Sequence, residues 1–165
     1  MLKLFFSFDG RIGRARYWLG FLTWIGANVV LSALFGPDVP VDENGMPSVD
    51  AMVGPSPANV WSLTISLVML YPLAALMVKR LKDRNRPPNP WLWLFVVPGV
   101  LFAFLRTYGI GFETVDVQGQ AVPMPTGGTQ LVLVSAIVSG LWSLIELGIL
   151  RGTRGPNRYG PDPLD

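Results

Sequence analysis

Arginine, lysine and aspartate recur at close spacing in three stretches of this chain, and these are the side chains through which it could do chemistry. The densest stretch is Lys79-Arg80-Leu81-Lys82-Asp83-Arg84-Asn85-Arg86, with five of the 13 basic residues. Asp9, Arg11, Arg14 and Arg16 lie near the start, and Asn157 and Asp162 near the end. A guanidinium offers forked N–H donors that match carboxylate or phosphate oxygens two at a time. Two uses follow. The cations could pair with Asp9, Asp83 and Asp162 and fasten the leader and tail onto helix ends, which is the simpler use. Alternatively, Arg11, Arg14, Arg16, Lys79, Arg80 and Arg84 could line a pocket for an anionic group such as a lipid phosphate. Glu146 is a separate candidate: it interrupts an apolar run, and an ionisable residue inside a span is a functional hypothesis by default. It also lies near the end of that run, within reach of an arginine such as Arg80, so a structural ion pair is the simpler expectation.

What the chain lacks narrows the chemistry further. It has neither Cys nor His. Disulfides, thiolate nucleophiles, imidazole bases and the Ser-His-Asp arrangement are therefore ruled out. No metal site and no cofactor is expected. Gly10-x-x-Gly13 is too short to be a phosphate-cradling loop.

The elements that must position these residues are read from the uncharged runs. Half of the 165 residues are apolar and 15% are charged, against about 25% in soluble domains. A helix needs roughly 20 apolar residues to cross the hydrocarbon. Four segments qualify: 17–35, 59–78, 91–112 and 130–150. The first is too long for a secretory signal and has no convincing cleavage site, so it reads as an uncleaved span. Tyr17, Trp18, Trp61, Trp91 and Trp93 sit where amphipathic rings anchor at the interface. Pro72 should kink the second span. In the third, Arg106 should reach out to the interface while Tyr108–Phe112 extends the helix. Lys79 and Asp83 are four apart, within ion-pair reach on a helix. Ser62 and Ser66 share a helix face. Ser135, Ser139 and Ser143, beside Ala136 and Gly140, form the expected helix-packing seam. In the leader, Gly10 and Gly13 should interrupt any helix. Its mixture of bulky apolar and basic residues suits either a membrane surface or a plain basic flank.

The segments between spans differ sharply in charge. Lys and Arg number four before residue 17, none in loop 36–58, five in loop 79–90, one before loop 113–129 and three in the tail 151–165. Six acids lie in the two cation-poor loops. Basic short segments stay cytoplasmic. The expected fold is therefore an all-α membrane protein of a single domain, a four-helix bundle in a bacterial inner (plasma) membrane. Both termini and loop 79–90 face the cytoplasm, and loops 36–58 and 113–129 are external. Asp42-Glu43-Asn44-Gly45 and Gln118-Gly119 are turn signals for small β-hairpins in the external loops, which could meet as a cap.

Three stretches together resemble a bacterial inner-membrane family of unknown function typified by the YhaH proteins. They are Phe8-Asp9-Gly10-Arg11-Ile12-Gly13-Arg14-Ala15-Arg16-Tyr17-Trp18, Val78 through Arg84, and Gly155 through Pro163. The resemblance spans nearly the whole chain and implies a small polytopic inner-membrane protein without an assigned activity. That family usually carries His where this chain has Lys82, and often a Gly-Trp-Trp-like segment where this chain has Pro-Asn-Pro-Trp, so no role for that His carries over. Asp9-Gly10 followed by Ala15-Arg16 is similar to fragments of lipid-headgroup transferases, but the further paired aspartates those enzymes use for metal are missing. The expectation is a non-catalytic structural, assembly or regulatory component, not an enzyme. Its partners would be membrane lipids, anionic ones included, further copies of itself or other membrane proteins, and not nucleic acid. The alternative is a small transporter or channel using Glu146.

Overall fold

The structure is a computed structural model and describes residues 2–41, 45, 48–117 and 120–163. Four helices are long and apolar enough to cross a membrane: α2 (Arg14–Phe35), α4 (Pro57–Asp83), α5 (Pro88–Thr107) and the run Gly127–Ile149. The last consists of α6 (Gly127–Ser143) and a π-helical end, Leu144–Ile149. Two short helices, α1 (Leu2–Phe6) and α3 (Val49–Met52), lie in the leader and first loop, and one antiparallel hairpin, β1 (Phe112–Val117) with β2 (Gln120–Pro125), lies in the third. The protein is a multi-pass membrane protein in architecture, with a small two-stranded sheet.

Local chemistry sets most of the boundaries. Gly10 takes a positive φ of 79° after α1, and Gly13 is the N-cap of α2, so the two glycines do separate the leader helix from the first span. Ser56 caps α4 by accepting the Asn59 N–H, with Pro57 following at the first helical position. Both α4 and α5 remain helical on either side of Pro72 and Pro98. The third span does not extend over Tyr108–Phe112. It ends at Thr107, because Gly109 and Gly111 adopt φ of 66° and 70° and turn the chain into β1. At its other end the element starts at Pro88, with an extended Asn89 (φ −94°, ψ 130°) after which the helix runs from Pro90 to Thr107, still within the length range of a span.

The hairpin expected in the third loop forms, with Val117 opposite Gln120 and Val115 opposite Val122. Its turn, 118–119, lies outside the described residues, as does most of the turn expected at 42–45. On either side of that turn the Ser48 N–H donates to the Pro40 carbonyl at 2.9 Å, and the loop continues into α3, which packs against β2. Arg106 ties the loop down: its Nε donates to the Met52 carbonyl at 2.7 Å and its own carbonyl accepts the Gly54 N–H at 3.0 Å.

Helix α4 is central. It packs on α1, α2 and α5, while α5 packs on α6 and α2 touches the π-helical end. The buried core comprises Ile12, Tyr17, Leu76, Met77, Leu81, Phe95, Val96 and Leu147. It sits toward the end of the molecule that carries α1, the α4–α5 loop and the tail. Tyr17 is 2% exposed, so it is a core residue rather than an interfacial anchor. Away from this end the helices are largely bare: within their most apolar stretches α2 and α5 are each 6% buried. Lipid tails solvate such faces as well as leucine does, so apolar contact alone cannot drive helices together there.

Ser62 and Ser66 form no seam within the chain, whereas the α6 stripe does in part: α6 packs on α5, with Ser139 buried and Ala136, Gly140 and Ser143 half-buried. Ser62, Ser66 and Ser135 are exposed. The hydroxyls of Ser135, Ser139 and Ser143 bond carbonyls three residues back in their own helix. A Cβ at Gly140 would touch nothing.

Candidate functional site

The fourth span ends in a π-helical turn, with the Leu150 N–H returning to the Ile145 carbonyl. A helix terminus leaves its last carbonyls without helical partners, and this one carries a partial negative charge. Here five successive carbonyls are taken by side chains from two other spans. Arg80 donates Nε to Leu147 at 2.7 Å and an Nη to Leu150 at 2.6 Å. Trp18 donates its indole N–H to Gly148 at 3.1 Å, Arg14 donates to Ile149 at 3.2 Å, and Arg84 to Arg151 at 2.7 Å. Gly148 is required for this arrangement, because a Cβ there would stand 2.7 Å from the Trp18 ring.

Asp83, at the end of α4, is the hub. It pairs with Arg80 one turn back and with Arg11 of the leader at 3.1 Å, and the side chains of Arg11, Arg80 and Asp83 are all at least 96% buried. Arg11 spends its remaining donors on the tail: the carbonyls of Thr153 at 2.8 Å, Gly155 at 2.9 Å and Gly160 at 3.1 Å. The tail reciprocates at the end of α4. Thr153 donates through its N–H and hydroxyl to the Asp83 carbonyl, both at 2.9 Å, and Asn157 donates to the Lys82 carbonyl at 3.0 Å. The tail crosses so close to Asp83 that a Cβ on Gly152 would overlap the carboxylate. Asp162 accepts the Gly155 N–H at 2.8 Å.

The leader is fastened the same way. Lys79 reaches the carbonyls of Lys3 and Leu4, both at 2.6 Å, and Lys82 reaches that of Phe8 at 2.6 Å. Rings add to this: Phe6 stacks on Tyr71 and Phe8 meets it edge-on. The leader thus packs along α4 rather than hanging free as a flank.

Several expected pairings differ. Lys79 does not pair with Asp83, because α1 offers it two helix-end carbonyls while Arg11 and Arg80 take the carboxylate. Glu146 is an ion-paired residue, but its partners are Arg84 at 3.0 Å and Arg86 at 3.3 Å, not Arg80. Arg80 is instead held inward by Asp83 and the helix-end carbonyls. Asp9 stays local, accepting from the Ser7 hydroxyl at 3.3 Å. It shares a separate concavity with Arg16, Lys3 and Lys79.

The candidate cluster therefore divides. Arg11, Lys79, Arg80, Asp83, Arg84, Asn157 and Asp162 join spans, leader and tail into one clasp. Arg14 stands at its rim, and Asp9 and Arg16 lie beside it. The sequence reading passed over Arg151 and Arg154. Both are exposed, and among the described residues neither guanidinium has a hydrogen bond or ion pair. With Arg14 they edge a concavity of about 80 Å³ above Arg80 and Asp83. The signal was the compact Arg-Gly-Thr-Arg spacing directly after a span.

Fold and site together define a small four-span membrane protein whose helices are locked at one end by a buried Arg–Asp–Arg network. Residues 5–161 match the family described as "Protein of unknown function (DUF805)", and the chain belongs to that family. It is also similar to the uncharacterized protein YiiR of Escherichia coli strain K12 and to YiiR of Escherichia coli O157:H7. Each is 32% identical over 161 residues, covering 97% of this chain and 88% of theirs. No solved structure matches the chain.

Proposed function

We propose that this protein is a non-catalytic component of the bacterial inner membrane, serving a structural, assembly or regulatory role, with both termini cytoplasmic and a basic cytoplasmic face that contacts anionic lipid. The resemblance to YhaH-type proteins belongs to the same reading. The observation that carries it is how the motif cations are spent. Arg11, Lys79, Arg80, Lys82 and Arg84 each donate to backbone carbonyls of other segments, so the residues that mark the three stretches serve architecture rather than turnover. Twelve of the 13 cations belong to the leader, the α4–α5 loop region and the tail, which gather at one end. Juxtamembrane basic residues attract anionic headgroups. The bare faces of α2 and α5 suit contact with lipid, further copies or other membrane proteins.

Reconstitution in nanodiscs of equal phosphatidylglycerol and phosphatidylcholine, followed by delipidation and lipid mass spectrometry, tests the lipid part. Retained phosphatidylglycerol should exceed phosphatidylcholine several-fold; equal recovery would remove it. The rival, a transporter or channel using Glu146, is tested by Glu146→Gln in proteoliposomes. The ion pairs to Arg84 and Arg86 favour a stability loss of about 1–3 kcal/mol for this variant with no altered solute or ion flux. A change in flux would favour transport.

A further inference from the structure

We infer that the concavity edged by Arg14, Arg151 and Arg154 is a site for the terminal phosphomonoester of a membrane lipid. The inference deepens the proposed contact with anionic lipid and rests on it. Once the clasp is subtracted, these arginines are the ones that keep donors to spare at this place. Arg14 uses one, on the Ile149 carbonyl, and Arg151 and Arg154 use none among the described residues. The lining carries four guanidiniums, of Arg14, Arg80, Arg151 and Arg154, against two carboxylates, of Asp83 and Asp162, and so keeps a net positive charge. Arg80 is paired with Asp83, and Asp162, which also lines the concavity, receives the Gly155 N–H. Three guanidiniums thus face one opening with excess positive charge.

Size and depth choose the ligand. The concavity, about 80 Å³, is several times the 10–15 Å³ that one water requires, yet small for a whole sugar or polyol headgroup. A phosphomonoester carries about −1.5 to −2 charge and three acceptor oxygens, which suits forked donors from several arginines; a phosphodiester carries less of both. Arg14 is the first residue of α2, and Arg151 follows two residues after the last helical residue of the fourth span. Both mark the boundary between apolar helix and polar chain, the depth at which lipid phosphates lie.

The test uses the full chain in nanodiscs of phosphatidylcholine with equal phosphatidic acid and phosphatidylglycerol, read by native mass spectrometry of retained lipid. The wild type should retain phosphatidic acid over phosphatidylglycerol roughly ten-fold. The double variant Arg151→Ala/Arg154→Ala should lose that preference, while Arg158→Ala, altered outside the concavity, keeps it. The guanidiniums replaced hold no part of the fold, so unchanged thermal stability should accompany the loss. Persistence of the preference in the double variant would overturn the site. So would equal retention of both anionic lipids by the wild type, although their joint enrichment over phosphatidylcholine would leave the broader lipid contact standing. Added inorganic phosphate separates lipid from soluble anion: saturable binding of it by lipid-free protein, as tight as that of phosphatidic acid, would overturn the lipid assignment.

Discussion

Asp83 decides more of this molecule than any other side chain. It is one carboxylate between two buried guanidiniums, and the remaining donors of both partners run to backbone carbonyls of the leader, fourth span and tail. Removing one member of a buried ionic group leaves an uncompensated charge and costs about 3–5 kcal/mol. Asp83→Asn should therefore lower unfolding stability in denaturant titration of the purified protein by that amount. It should also speed tryptic cleavage of the tail at Arg154 and Arg158, because Arg11 would lose its anchor. Arg16→Ala, which removes an exposed cation with no bonded partner among the described residues, should stay within about 0.5 kcal/mol of wild type. Similar stability of Asp83→Asn and Arg16→Ala would contradict the clasp.

At the scale of elements, a second fastening holds the opposite end. Arg106 donates to Met52 and, at 3.3 Å, to the Asn59 side chain, and so joins α5 to the first loop and the start of α4. Arg106→Ala should raise hydrogen exchange across 48–56 without changing it in the tail. Its stability cost should add to that of Asp83→Asn within about 0.5 kcal/mol, since the two networks share no partner. Which elements exist was legible in the chain. Uncharged runs of span length and Gly/Pro-rich acidic loops are one-dimensional signals, and they located four helices and the second hairpin. Boundaries were less legible. The positive φ of Gly109 and Gly111 ended α5 where apolar composition suggested it would continue; α4, in contrast, runs past its uncharged stretch to Asp83, as the helical spacing of Lys79 and Asp83 implies, because its basic last turn finds carbonyls to bond.

The site was legible in membership but not in wiring. Arginine spacing marked Arg11, Arg80 and Asp83, yet the partners of Lys79 and Glu146 depend on which carbonyls two other segments present, and no local pattern encodes that. The roles of Trp18 over Gly148 and of Gly152 over Asp83 likewise arise only from close approach between distant segments. Serine periodicity misled in α4, where the Ser66 hydroxyl is satisfied by the Ser62 carbonyl of its own helix and needs no neighbour, but marked the more buried face of α6.

Taken whole, the molecule is polarised. Its buried core and ionic network lie at the basic end, its hairpin and α3 at the acidic end, and lightly buried helices run between. Where lipid removes the hydrophobic drive between helices, polar fastening at the ends governs how the spans sit. The proposed topology puts the two ends on opposite sides of a bilayer. Reporters that distinguish periplasm from cytosol, fused at residue 45 in one version and after residue 165 in another, test this most directly. The reporter at residue 45 should read periplasm and the one after residue 165 cytosol; the same compartment for both would contradict the four-span topology and the basic cytoplasmic face built on it.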